Sequence, residues 1–141
     1  MNSANPFTKV TIRNTIHAPI EKVWKYWTSP EHITKWNNAS DDWHTPHVEN
    51  DLRVGGKFLS RMEAKDGSFG FDFEGVYDQV ILHEKIAYTM SDGRTVETTF
   101  IKEGDQTKVI SIFDAETTNS VDMQRDGWQA ILDNFKKYVE G

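Results

Sequence analysis

The stretch WNNASDDWHTPH, Trp36 to His47, gathers two Trp, two Asp, two His and two Asn within twelve residues. Three kinds of chemistry suit such a cluster. The first is metal binding. A zinc-type site needs three or four ligands in near-tetrahedral array. Pro46 lies between His44 and His47 and argues against a regular helix there. In an extended segment the two His stand about 10 Å apart and point to opposite faces. No third ligand is evident, so no metal is assigned. The second is acid–base work. Asp42 and His44 share a side at i and i+2, and a His beside a carboxylate can be poised near neutral pH. They are the weak catalytic candidates, against a solvated loop whose Asp and Asn build turns. The third is ligand admission. Trp36 and Trp43 offer broad apolar faces with one polar handle each, beside hydrogen-bonding Asn and Asp. The plainer alternative is that both Trp staple the loop to the core.

Elsewhere the chemistry-bearing residues are sparse. Arg53 and Arg61 are the cations placed nearest the inner surface of a sheet. Arg61 could anchor an acidic ligand, although a surface ion pair with Asp51 or Glu63 is the commoner fate of such a residue. Gly55-Gly56 is followed by a strand and lacks the strand-to-helix setting of a phosphate loop. It reads as a tight connection or bulge. His17, His32 and His83 are isolated. No cofactor is expected.

These residues must be positioned by one domain, since 141 residues is near the commonest domain size. Eight Phe, five Trp and four Tyr supply a packed core; residues 1–7 are expected to be flexible and 8–141 to form the domain. The formal charge of −6, with KK at 136–137 as the densest basic spot, argues against nucleic acid and against an anionic membrane surface. The absence of Cys excludes disulfides and thiolate chemistry. MNSANPFTK has no apolar stretch of signal-peptide length, and no transmembrane run follows, so a cytoplasmic protein is expected.

The segment TKVTIRNTIHA alternates, with Val10, Ile12 and Ile16 on one face of a strand. Pro19 suits the first turn of a helix, where Ile20, Val23, Trp24 and Trp27 form an apolar stripe. Ser29 can cap a second short helix with Pro30 in its first turn and Ile33 and Trp36 on its buried side. From about His47 the pattern changes to six strands punctuated by Gly55-Gly56, Asp66-Gly67 and Asp92-Gly93. FGFDFEGVYDQVI alternates most cleanly: Phe69, Phe71, Phe73 and Tyr77 on one face, Asp72, Glu74 and Asp78 on the other. The tail SVDMQRDGWQAILDNFKKYV is a helix capped by Asn119 or Ser120, with Trp128, Ile131, Leu132, Phe135 and Val139 on one face. Gly127 costs this helix on the order of 1 kcal/mol against Ala, and close packing is its simplest reason. The long helix has one large apolar surface to lie on, the concave side of the sheet. A single helix does not fill a strongly curved sheet. A pocket of roughly 300–1,000 Å³ for a small, largely apolar ligand is the expected result.

The segments APIEKVWKYWTSPEHITKW, DLRVGGKF, FEGVYDQVILHEKIAYT, GDQTKV and DGWQAILDNFKKYV resemble, in that order, those of the family named after the heat-shock protein 90 ATPase activator. This family lies in the START-like superfamily, also called SRPBCC. The resemblance covers nearly all of 18–140. It implies an α+β helix-grip fold: a seven-stranded curved antiparallel sheet gripping a long C-terminal helix, with two short helices between strands 1 and 2. It is similar to the C-terminal domain of the eukaryotic activator and not to its other domain.

Three functions follow as expectations. The first is a binding module that holds a small hydrophobic molecule between sheet and helix. Its contacts would be Trp24, Trp36, Trp43, Arg61, Phe71, Phe73, Tyr77, Trp128, Leu132 and Phe135. For the helical aromatics among these, plain core packing is the competing role. The second is a chaperone partner that stimulates an ATPase, implied by the resemblance alone. The third is a cyclase- or hydrolase-like enzyme using Asp42 and His44. A non-enzymatic role is preferred, because no nucleophile or cofactor motif accompanies that pair.

Overall fold

Val10, Ile12 and Ile16 lie buried along one side of β1 (Lys9–Ile16), as their alternation requires. They are seen in a computed structural model that describes residues 7–141. All but Phe7 of the segment 1–7 expected to be flexible falls outside the described residues. β1 leads into α1 (Ile20–Thr28) and α2 (Pro30–Trp36). Six strands follow: β2 (Trp43–Asn50), β3 (Lys57–Ala64), β4 (Gly70–Ile81), β5 (Lys85–Met90), β6 (Thr95–Glu103) and β7 (Gln106–Asp114). The long α3 (Val121–Glu140) comes last.

The seven strands form one antiparallel sheet in the order β1-β7-β6-β5-β4-β3-β2. Six of them are a meander, and β1 pairs back onto β7 from Lys9↔Asp114 to Ile16↔Thr107. The two short helices therefore join opposite edges of the sheet. The sheet curls into a half-barrel, and α3 lies in its hollow with Leu132, Phe135 and Val139 fully buried. This is the α+β helix-grip arrangement.

Local chemistry sets the element ends. Pro19 is the cap of α1 rather than its first residue. Its ψ of 155° is extended, and its carbonyl accepts from Lys22 N and Val23 N, each at 3.1 Å. Ser29 takes the same place before α2, with Pro30 in the first turn, where a missing N–H costs nothing. At α3 the cap is Ser120, whose Oγ accepts from Met123 N at 3.1 Å. A Cβ added at Gly127 would meet no atom within 4 Å, so close packing is not the reason for that glycine.

The polar stretch at 36–47 is divided. Trp36 ends α2, and Trp43 to His47 is the first half of β2, an edge strand. The register passes from His44↔Glu63 to His47↔Arg61, so Thr45 and Pro46 together face one residue of β3. Proline has no N–H for the ladder and is accommodated at such a bulge on an edge. The extra residue reverses the alternation. His44 and His47 consequently lie on the same convex face, where a regular strand would have put them on opposite ones.

Candidate functional site

The inner face of the sheet is built by alternation. On β3 it carries Phe58, Ser60 and Met62; on β4, Phe71, Phe73 and Tyr77; on β5, Ile86 and Tyr88. Val96 and Thr98 of β6 and Ser111 of β7 continue it toward β1. Ser60, Thr98 and Ser111 are buried at 5%, 3% and 3% exposure, at positions where a core would ordinarily place large apolar side chains. Thr98 Oγ1 and Ser111 Oγ satisfy each other at 2.8 Å. Their small volumes leave the middle of the concave face unfilled.

The helices complete the enclosure. Phe135 wedges edge-on between Trp27 and Trp36, with ring centroids at 4.9 and 4.8 Å. That wedge holds α3 to α1 and α2. Two turns nearer the start of α3, Trp128 lies flat on Phe113, 4.1 Å between centroids, and meets Phe73 at 6.0 Å. Between these anchors and the β3–β4 side of the sheet lies a cavity of about 360 Å³. Trp27, Trp36, Phe58, Phe73, Tyr88 and Trp128 make its wall predominantly aromatic.

The two ends of the cavity differ. At one end Asn50 ties the wall together: it accepts from Tyr77 Oη at 2.5 Å and donates to Thr28 O at 2.7 Å. Burial pushes the Tyr77 phenol above its ordinary range, so it stays a neutral donor. At the other end stand Arg94, Glu116, Asn119 and Gln124, and the exposed Phe71 also lines the cavity. Gln124 locks the loop before α3, giving its Nε2 to Glu116 O and Asn119 O and taking the Glu116 N–H on Oε1, at 3.0, 2.9 and 2.8 Å.

The Glu116 carboxylate is turned into its own loop. It accepts from the N–H groups of Asn119 and Thr118, both at 2.8 Å, and these donors hold its pKa below the ordinary value. A folded-state pKa lower than that of the free chain means the clamp is complete above the free-chain value. It is lost as pH falls through the lowered one. The Thr118 and Asn119 amide shifts should therefore titrate together with a midpoint below 4.5. An NMR titration with the midpoint at or above that value would show that the carboxylate is not held.

Of the residues expected to contact a ligand, Trp36, Phe71, Phe73, Tyr77, Trp128 and Leu132 line this cavity. The other four are placed elsewhere. Trp24 is buried behind α1 against Phe100 and His83, at 5.2 and 5.8 Å. Phe135 is wholly buried in the wedge described above. Trp43 sits at the sheet edge with Phe69 and Phe71, at 6.0 and 6.1 Å. Arg61 is on the convex face, paired with Glu63 at 2.9 Å and Asp72 at 3.3 Å. An odd-numbered position on β3 points away from the helix, which the register settles.

The acid–base candidates are also outside. Asp42 is exposed and accepts from Ser40 Oγ; His44 faces Glu63 at 3.7 Å on the convex side. His47 pairs with Glu49 at 2.7 Å. Neither Asp42 nor His44 faces the cavity, so acid–base work by this pair on a molecule held there has no geometric basis. Lining residues that sequence reasoning passed over include Ser60, Tyr88, Arg94 and Thr98. Alternation in KIAYTM and RTVETTF carries the signal for three of them, since Ile86, Tyr88 and Met90 share a face, as do Arg94, Val96 and Thr98.

Comparison with known proteins places the arrangement. Residues 17–140 match the family model described as activator of Hsp90 ATPase homolog 1-like protein. The chain is 47% identical to an AHSA1-like protein of Aeromonas hydrophila, over 94% of this chain and 92% of that one, with a TM-score of 0.88. It is 53% identical to Chr148 of Cytophaga hutchinsonii over the same shares, with a TM-score of 0.82. The protein NE0264 of Nitrosomonas europaea shares the fold at 18% identity, covering 99% and 98% of the two chains at a TM-score of 0.83. No curated protein matches the chain. No helix among the described residues is long and apolar enough to cross a membrane. With the family model spanning nearly the whole described fold and the sheet, helices and grip all in place, the chain belongs to the activator of Hsp90 ATPase homolog 1-like family, within the START-like fold.

Proposed function

We propose that the protein binds a small, flat, largely apolar molecule in the cavity between the sheet and α3. The observation that carries this reading is the aromatic-walled volume of about 360 Å³, kept open by small polar residues at its floor. Evolution fills a purely structural core at native density, since each empty methyl-sized space costs about 1 kcal/mol. Aromatic walls suit a planar guest through stacked and edge contacts. A guest of about a dozen heavy atoms, at about 0.5 kcal/mol each, reaches a Kd of tens of micromolar. Stimulation of an Hsp90-type ATPase has the family description behind it, but no feature of the cavity.

Filling the floor tests the reading. Ser60→Trp projects an indole into the cavity from the middle of the sheet. Wild-type protein titrated with methyl naphthoate should show NMR shifts concentrated at Ser60, Phe73, Tyr88 and Thr98. The variant should bind at least about thirtyfold more weakly while keeping a cooperative thermal transition. Shifts scattered over the outer surface, or equal binding by the variant, would remove the cavity as the site.

A further inference from the structure

We propose that the molecule held in the cavity is an aromatic carboxylic acid, with its carboxylate anchored by the Nη groups of Arg94 and by the Tyr88 hydroxyl. This rests on the binding reading above and names the class of ligand for that same site.

The argument is a count of donors left unused. Tyr88 pairs with Val96 across β5 and β6, so both face the cavity. Arg94 precedes Val96 by two residues and lines the cavity on the same side, diagonal to Tyr88. The Tyr88 ring is packed by Phe58 at 4.5 Å and by Phe73 and Tyr77 at 6.3 Å. Its hydroxyl has no hydrogen-bond partner among the described residues. Burial drives this phenol far above its ordinary pKa, and the Arg94 charge is near enough to oppose that rise. The hydroxyl is thus a neutral donor beside a cation. Arg94 itself is only partly exposed and spends its Nε on Asp92 at 2.7 Å. Its Nη1 and Nη2 groups donate to no other described residue. They form the end-on fork that matches a carboxylate bidentately.

The neighbouring acceptors and amides are already engaged. Asp92 is committed to the Arg94 side chain and to the Arg94 N–H. The Glu116 carboxylate is held by Thr118 and Asn119, and Asn119 Nδ2 also donates to it, at 2.9 Å. The Gln124 amide is consumed by its loop. Apart from Asn119 Oδ1, what this end of the cavity still offers is donors, one set of them charged. A guest with an aromatic body and an anionic, acceptor-only head satisfies both parts of the site.

The test compares a naphthoic acid with its methyl ester, by titration calorimetry at neutral pH, in wild type, Arg94→Gln and Tyr88→Phe. The wild type should prefer the acid by about tenfold or more, as a charge-assisted pair provides. Arg94→Gln should bring that preference to within about twofold, with folding of the variant checked by a cooperative thermal transition. Tyr88→Phe should reduce it by about threefold. Equal binding of acid and ester by the wild type, or a preference that survives Arg94→Gln, overturns the head-group assignment and leaves the cavity reading intact. Binding of neither compound overturns both. If Arg94→Gln fails to bind the ester, the wild-type preference decides: it should shrink as salt rises, and a salt-independent preference overturns the anchor.

Discussion

Gly56→Ala should destabilise the protein by about 3 kcal/mol or more, because the added methyl group has no space and its neighbours cannot yield. A Cβ at residue 56 would stand 2.0 Å from Asp51 O and 3.0 Å from Arg53 O. Both are backbone atoms in a turn that is hydrogen-bonded on all sides. Asp51 N donates to Lys57 O, Arg53 N to Asp51 O, and Gly56 N to Arg53 O, at 3.0, 2.9 and 2.8 Å. Gly56 O also accepts from Tyr77 N at 2.9 Å, so relief of the clash would pull on the strand that carries Tyr77. The adjacent glycine is the control. Gly55 has φ of +84° and open space around its missing side chain. Gly55→Ala therefore costs only the left-handed conformation, about 1–2 kcal/mol. Urea denaturation of both variants checks the pair; equal midpoints would show that the turn relaxes freely and the steric account is wrong.

Phe135→Ala should cost about 3–5 kcal/mol, the range for removing a fully buried aromatic side chain. Phe135 has no exposed surface, and its ring bridges Trp27 of α1 and Trp36 of α2. Its removal leaves two indoles facing a void. The void adjoins the existing cavity, because Trp27 and Trp36 line both. The variant should accordingly be less stable yet accept a bulkier apolar guest than the wild type. Thermal unfolding by calorimetry gives the first quantity. A loss below about 1 kcal/mol would mean that the three helices repack around the gap and that the wedge does not hold them.

Much of the fold was legible because local periodicity is set by which side of an element is dry. Val10, Ile12 and Ile16 announce β1, and Leu132, Phe135 and Val139 announce α3, whatever the rest of the chain does. Caps were legible for the same local reason, Ser120 being a side-chain acceptor one residue ahead of an apolar stripe. The polar first half of β2 was not. Trp43 to His47 contains a proline and few apolar residues, and it forms a strand only because β3 presents an open edge to it.

The site was legible in part, and its errors share one cause. Periodicity tells which side of a strand faces inward, but not how far the facing element stands away. Phe135 and Trp128 lie on the same apolar face of α3, yet one is packed solid and the other borders empty volume. That difference depends on where the curled sheet leaves the helix. The choice between Arg61 and Arg94 is likewise a matter of register. Arg61 is opposite Asp72 and beside Glu63 on the convex face, whereas Arg94 continues the inward line of Val96 and Thr98.

The amino-acid sequence by itself determined the order of strands and helices, their main caps and hairpin turns, and a surplus of inward aromatic side chains, because each depends on neighbours within a few residues. The tertiary structure alone decided which aromatics became wall and which became core, turned His44 and His47 to one face through a single bulge, and brought Tyr88 and Arg94 to the wall of one cavity. Those outcomes depend on distances between segments far apart in the chain, which are set by sheet curvature and strand register.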